Sequence, residues 1–182
     1  MIPLLVVIAA AGLLVIVLYN RFVRLRNVVD ESWSGIDVQL ERRGDLIPNL
    51  VETVKGYAAH EKSTLEGVVA LRDRAHAATT VAERSQAESA LGLGLARLFA
   101  LAEAYPDLKA DAGYRQLQTQ LGELEEQIQL ARRLYNGAVR DYNTAIQSFP
   151  GNFLAGMTGF GTRQFFELDD PAHRTVPKVQ FT

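Results

Sequence analysis

The chain of 182 residues contains no cysteine, which excludes disulfides, thiolate metal sites and cysteine nucleophiles and permits a reducing compartment. Histidine is scarce, and His60, His76 and His173 stand isolated in the sequence. His60-Glu61 begins a metalloprotease-like pair, but Thr64 occupies the place of the second histidine, so no zinc pair forms. Gly92 and Gly94 lie in a leucine-rich run with no Gly-Lys-Ser/Thr behind them, which rules out a phosphate loop, and no nucleophile elbow is present. A basic stripe is also missing. With 19 basic and 21 acidic residues, the net charge is −2 and the signs are interspersed, so a sequence-independent nucleic-acid binder that releases counterions is excluded. Glu123, Glu125 and Glu126 fall in a stretch of alternating charge and read as a solvated helix face. No catalytic, cofactor-binding or metal-binding residue emerges, and no small-molecule substrate or cofactor is implied. The reading is of a protein that is not an enzyme.

The absence of charge is sharpest at the N-terminus. From Ile2 to Leu18 nearly every residue is Ile, Leu, Val, Ala or Gly, and Arg21, Arg24 and Arg26 follow at once. At about 1.5 Å per residue this run spans roughly 26 Å, close to a ~30 Å hydrocarbon core, and Tyr19 suits the interface. A cleaved signal peptide needs positive charge before its apolar run, and here the charge lies behind it. A buried core helix needs a domain able to cover an apolar surface all round. Residues 1–20 therefore read as a transmembrane anchor in the bilayer. By the positive-inside rule the N-terminus lies outside and the following chain in the cytoplasm, as in a single-pass protein of the cell (inner) membrane.

Behind the anchor, apolar positions recur at helical spacing. Phe22, Leu25, Val29, Trp33, Ile36 and Leu40 continue the membrane helix to about Arg43 without a breaker. Gly44 and Asp45 mark a turn, with Asp45 as N-cap and Pro48 in the first turn of a second helix that runs to about Ala78 through Leu46, Leu50, Val54, Tyr57, Leu65, Val68 and Leu71. Thr79-Thr80 with Glu83 forms a capping box for a third helix bearing Leu91, Leu95, Leu98, Ala102 and Tyr105, ended by Pro106. A fourth helix, from about Asp111 to Ser148, presents Tyr114, Leu117, Leu121, Leu124, Ile128, Leu134 or Tyr135, Val139, Tyr142 and Ile146. The fold class is all-α: a transmembrane helix continuing into an antiparallel bundle of four long helices over residues 21–148.

Residues 149–182 form a Phe/Gly-rich tail returning towards the membrane. Phe149, Phe153, Leu154, Met157, Phe160, Phe165 and Phe166 lie there, threaded with glycines. These rings either close the base of the bundle or pack on a neighbouring subunit, the favoured reading, or dip into the membrane interface. Tyr-Asn occurs at Tyr19-Asn20, Tyr135-Asn136 and Tyr142-Asn143, the last two a heptad apart, and reads as a register device at a helix seam or as a face offered to a partner helix. The segment from Arg42 to Asn49 is a second candidate contact surface, at the tip farthest from the membrane.

The stretch YNRFVRLRNVVDESWSGIDVQLERRGDLIPNLVETVKGYAAHE from Tyr19 to Glu61, RRLYNGAVRDYNTAIQSFP from Arg132 to Pro150, and the GF…FFE that follows resemble the LemA family of bacterial proteins. The match is least specific in the middle of the third helix and in the tail after Asp169, with Pro171, His173 and Pro177. The resemblance implies a single-pass membrane protein with a cytoplasmic helical bundle, no catalytic residues to carry over, and links to membrane organisation and envelope quality control. The expected function is a membrane-anchored scaffold or adaptor that self-associates as a homo-oligomer and presents surfaces to a membrane protein partner, without binding nucleic acid. The alternative is a regulatory or sensor subunit of a membrane protease or transporter.

Overall fold

A computed structural model describes residues 1–167, and within them every regular element is helical. In order these are α1 (Ile2–Tyr57), α2 (Lys62–Ala77), α3 (Val81–Ala102), the short α4 (Pro106–Ala110), α5 (Ala112–Gln147) and α6 (Gly151–Thr158). They form two compact units, one from residues 1–39 and 126–165, the other from residues 40–125 with Phe166 and Glu167.

In the first unit α1 and α5 run antiparallel, Trp33 lying on Tyr135 with ring centroids 5.4 Å apart. Its core follows a seven-residue repeat: Phe22, Val29 and Ile36 on α1 face Ile128, Tyr135 and Tyr142 on α5, all buried. That spacing keeps one seam of each helix towards the other. Of the two alternatives at the α5 seam, Tyr135 is buried and Leu134 is exposed. The apolar run before Tyr19 has no such cover. It is long and apolar enough to cross a membrane, and none of it is buried in the protein. A core helix would bury this surface, so that reading is removed for the described residues.

The second unit packs the end of α1 with α2, α3, α4 and the start of α5 around Ile47, Leu50, Val54, Leu65, Val68, Leu91, Leu98, Leu108 and Leu121. The predicted capping box stands. Thr80 Oγ1 accepts from the Glu83 amide at 3.2 Å, and the Glu83 carboxylate accepts from the Thr80 amide at 3.1 Å. Pro106 occupies the first turn of α4, four residues beyond the end of α3.

The turn expected at Gly44-Asp45 is not formed, and helix α1 runs through it to Tyr57. Leu40, Arg43, Ile47, Leu50, Val51 and Val54 stay on one buried stripe across the site, and burying that stripe outweighs a cap worth about 1 kcal/mol. Pro48 is therefore inside a helix. Its missing N–H frees the carbonyl four residues earlier, that of Gly44, which accepts instead from Arg72 Nε of α2 at 3.4 Å. The reversal falls at residues 58–61, where Ala58 is buried and the Glu61 amide bonds the Ala58 carbonyl at 3.0 Å. The expected second helix, Asp45 to Ala78, is consequently shared between the end of α1 and α2. His60 is exposed in this connection.

Candidate functional site

Three arrangements carry the polar and aromatic residues of interest. The first is a clamp on α5. Tyr135, Tyr142 and Asn143 point at the extended segment that follows α6 and hold it by its backbone. The Tyr135 hydroxyl donates to the Gln164 carbonyl at 2.8 Å, and the Tyr142 hydroxyl to the Gly161 carbonyl at 3.0 Å. The Asn143 side-chain amide donates to the Arg163 carbonyl and accepts from the Arg163 amide, both at 2.9 Å, pairing with it as a neighbouring strand would. Arg163 also reaches Asp30 of α1 at 3.2 Å. Burial pushes the Tyr135 and Tyr142 phenols up, with Arg163 pulling the other way, so both remain donors at neutral pH. Tyr135, Tyr142 and Asn143 thus bind the chain's own C-terminal segment. Sequence periodicity shows which face they occupy but not what extended backbone returns to it.

The second arrangement is a buried ionic network in the other unit. Arg43 is 4% exposed, Glu88 3% and Arg84 7%. The Glu88 carboxylate accepts from Arg84 Nε at 3.0 Å and from Arg43, while Arg43 Nη1 donates to Glu125 at 2.7 Å. Buried charges persist where each is paired and hydrogen-bonded. Of the presumed acidic face, Glu125 belongs to this network, and Glu123 and Glu126 are exposed. Arg42, Asp45 and Asn49 are exposed on the middle of α1, so the segment from Arg42 to Asn49 is no tip. Arg84 and Glu88 were legible in principle. They sit in phase with Leu91, Leu95, Leu98 and Ala102 on the buried stripe of α3, and a charged pair in phase with a core face signals a buried ion pair. A cleft of about 220 Å³ beside the network is lined by Glu41, Asp45, Arg72, His76, Arg84 and Glu88 among others. Among the described residues no group of three or more His, Asp or Glu could hold a metal ion. His173 lies outside them.

The third arrangement is α6 with its flanks. Phe160 stacks edge-on against Tyr19 and Phe22, with centroids 5.6 and 5.5 Å away, and Arg26 lies 5.4 Å over its ring. Gly151 and Ala155 are buried, whereas Phe149, Phe153 and Met157 are 81, 68 and 86% exposed. The tail therefore divides: Phe160 and Phe166 pack internally, and Phe149, Phe153 and Met157 do not.

Helices this long, with an uncovered apolar end, define an all-helical protein whose first helix can enter a membrane. The family model "LemA family" matches residues 32–181, and the chain belongs to that family. It is 30% identical to Magnetosome protein MamQ 2 of Paramagnetospirillum magneticum, covering 86% of this chain and 67% of the relative, and 27% identical over the same shares to Magnetosome protein MamQ of Magnetospirillum gryphiswaldense. Protein LemA of Metamycoplasma hominis is 28% identical over 75% of this chain and 63% of its own length.

Proposed function

We propose that the protein is a non-enzymatic, membrane-anchored helical scaffold that self-associates and displays its helices to a membrane protein partner. The observation that carries this reading is α1 itself: one helix whose first turns are apolar and uncovered, and whose later turns form the core of a folded unit. The Arg21, Arg24 and Arg26 flank supports an outside N-terminus and a cytoplasmic body at the inner membrane of a bacterium. Self-association is supported by Leu130 and Leu134, one turn apart on α5 and 52 and 63% exposed. Light scattering on the full-length protein in detergent, with the detergent contribution subtracted, should give a mass of several protomers that falls when Leu130 and Leu134 are both replaced by Glu. A monomeric wild type refutes the homo-oligomeric scaffold. Single cysteines at Ser34 and Ser148 should both be shielded from an impermeant external thiol reagent in intact cells, and labelling of both would reverse the orientation. The continuity of α1 also favours a second reading, a regulatory subunit that passes a signal between the span and the body. A three-residue helix-breaking insertion after Asn27 would abolish signalling and leave the oligomer mass unchanged.

A further inference from the structure

The stretch from Tyr142 at the end of α5 to Thr162 contains no Asp, Glu, Lys, Arg or His, making it a second charge-free stretch behind the N-terminal one. The fold brings the two together. A Cβ added at Gly151 would lie 2.9 Å from Phe22 Cζ, and Phe160 packs on both Tyr19 and Phe22, so α6 sits within a turn of the end of the apolar run. Gly151 and Ala155 turn one face of α6 inward. Phe153 and Met157, about 180° and 140° from the middle of that face at 100° per residue, point outward, as does Phe149 just before the helix, and the Phe149 and Phe153 rings meet edge-on at 6.1 Å.

We propose that this face of α6 is a second membrane contact, seated in the lipid interface beside the span. The proposal rests on the anchored reading of α1. The partner is lipid because three large apolar side chains stand uncovered at the level where the span ends, with no ionisable group on α6 or its immediate flanks to favour water. The exposed arginines 21, 24 and 26 at the same level suit anionic headgroups. Interfacial helices bury their apolar face about 5–10 Å into the headgroup and acyl boundary.

The absence of cysteine allows a direct test on the full chain. Single nitroxide labels at Ile8→Cys, Phe153→Cys, Met157→Cys and the exposed Gln127→Cys would be compared in phosphatidylcholine vesicles containing phosphatidylglycerol, using collision with oxygen, which concentrates in lipid, and with a water-soluble nickel chelate. The expected result is oxygen access and nickel exclusion at Ile8, Phe153 and Met157, with depths of about 5–10 Å for the latter two, and full nickel access at Gln127. Nickel access at Phe153 and Met157 with a lipid-embedded Ile8 overturns the α6 contact and leaves the anchor standing. Nickel access at Ile8 as well overturns the anchor, and the α6 contact with it. Shielding of Phe153 and Met157 from both reagents overturns the proposal in favour of a second protein copy on this face.

Discussion

Glu88→Gln isolates the electrostatics of the buried network, because it keeps the side-chain volume and removes one charge. In the wild type Glu88 holds two guanidiniums, Arg43 and Arg84, and all three groups are almost fully buried. Breaking a buried ion pair by neutralising one partner costs about 3–5 kcal/mol. Arg43 retains Glu125, whose side chain is 43% exposed, and the amide oxygen of Gln still accepts a hydrogen bond, so the expected cost lies near the low end, about 3 kcal/mol. At about 2–4 °C per kcal/mol for a protein of this size, Tm should fall by roughly 6–12 °C when unfolding of the full-length protein in detergent is followed by circular dichroism. The fall should change little between low and high salt, because buried pairs are poorly screened. Replacing Arg43, Arg84 and Glu88 together by Met, Met and Leu should restore stability to the wild-type level or above it, since a well-packed apolar set avoids the desolvation cost. A loss below about 1 kcal/mol for Glu88→Gln, or one abolished by salt, would refute a desolvated network.

Gly151→Ala should be strongly destabilising, because its Cβ would meet the Ala145 carbonyl at 2.6 Å and the Phe22 ring at 2.9 Å. Gly94→Ala meets the tip of Leu71 at 2.8 Å, which can rotate, and Val68 at an ordinary contact distance of 3.6 Å, so its Tm should change little. Tyr142→Phe and Asn143→Ala should each weaken the clamp by about 1 kcal/mol per hydrogen bond lost, seen as faster hydrogen exchange at residues 161–164 with little change in global Tm. The capping box adds a pH dependence. The Thr80 and Thr79 amides and their hydroxyls hold the Glu83 carboxyl below its ordinary range, so its stabilisation is present above the unfolded carboxylate pKa and is lost as pH falls through the lower folded value. Glu83→Ala should remove that acid-side loss from the Tm–pH profile, and an unchanged profile would discount the cap.

The sequence by itself determined the helical class, the uncovered span and most of the core, because a period of 3.6 residues reports on one helix at a time and needs no partner to be read. Phe22, Val29 and Ile36, and Ile128 and Tyr142, were legible in this way, whereas the choice between Leu134 and Tyr135 fell to the packing. The Thr80–Glu83 cap, whose partners lie three residues apart, was legible too. Only the tertiary structure decided the rest. Gly44, Asp45 and Pro48 are the local signals of a helix start, yet the buried stripe from Leu40 to Val54 carries α1 straight past them, and Arg72 from another helix satisfies the carbonyl that Pro48 leaves free. The reversal came instead at residues 58–61, where no proline or left-handed glycine marks it. Arg43 meets Glu88 and Glu125, and Asn143 meets Arg163, across 45, 82 and 20 residues of chain. Partners so far apart in sequence are chosen by packing, and local pattern carries no record of them.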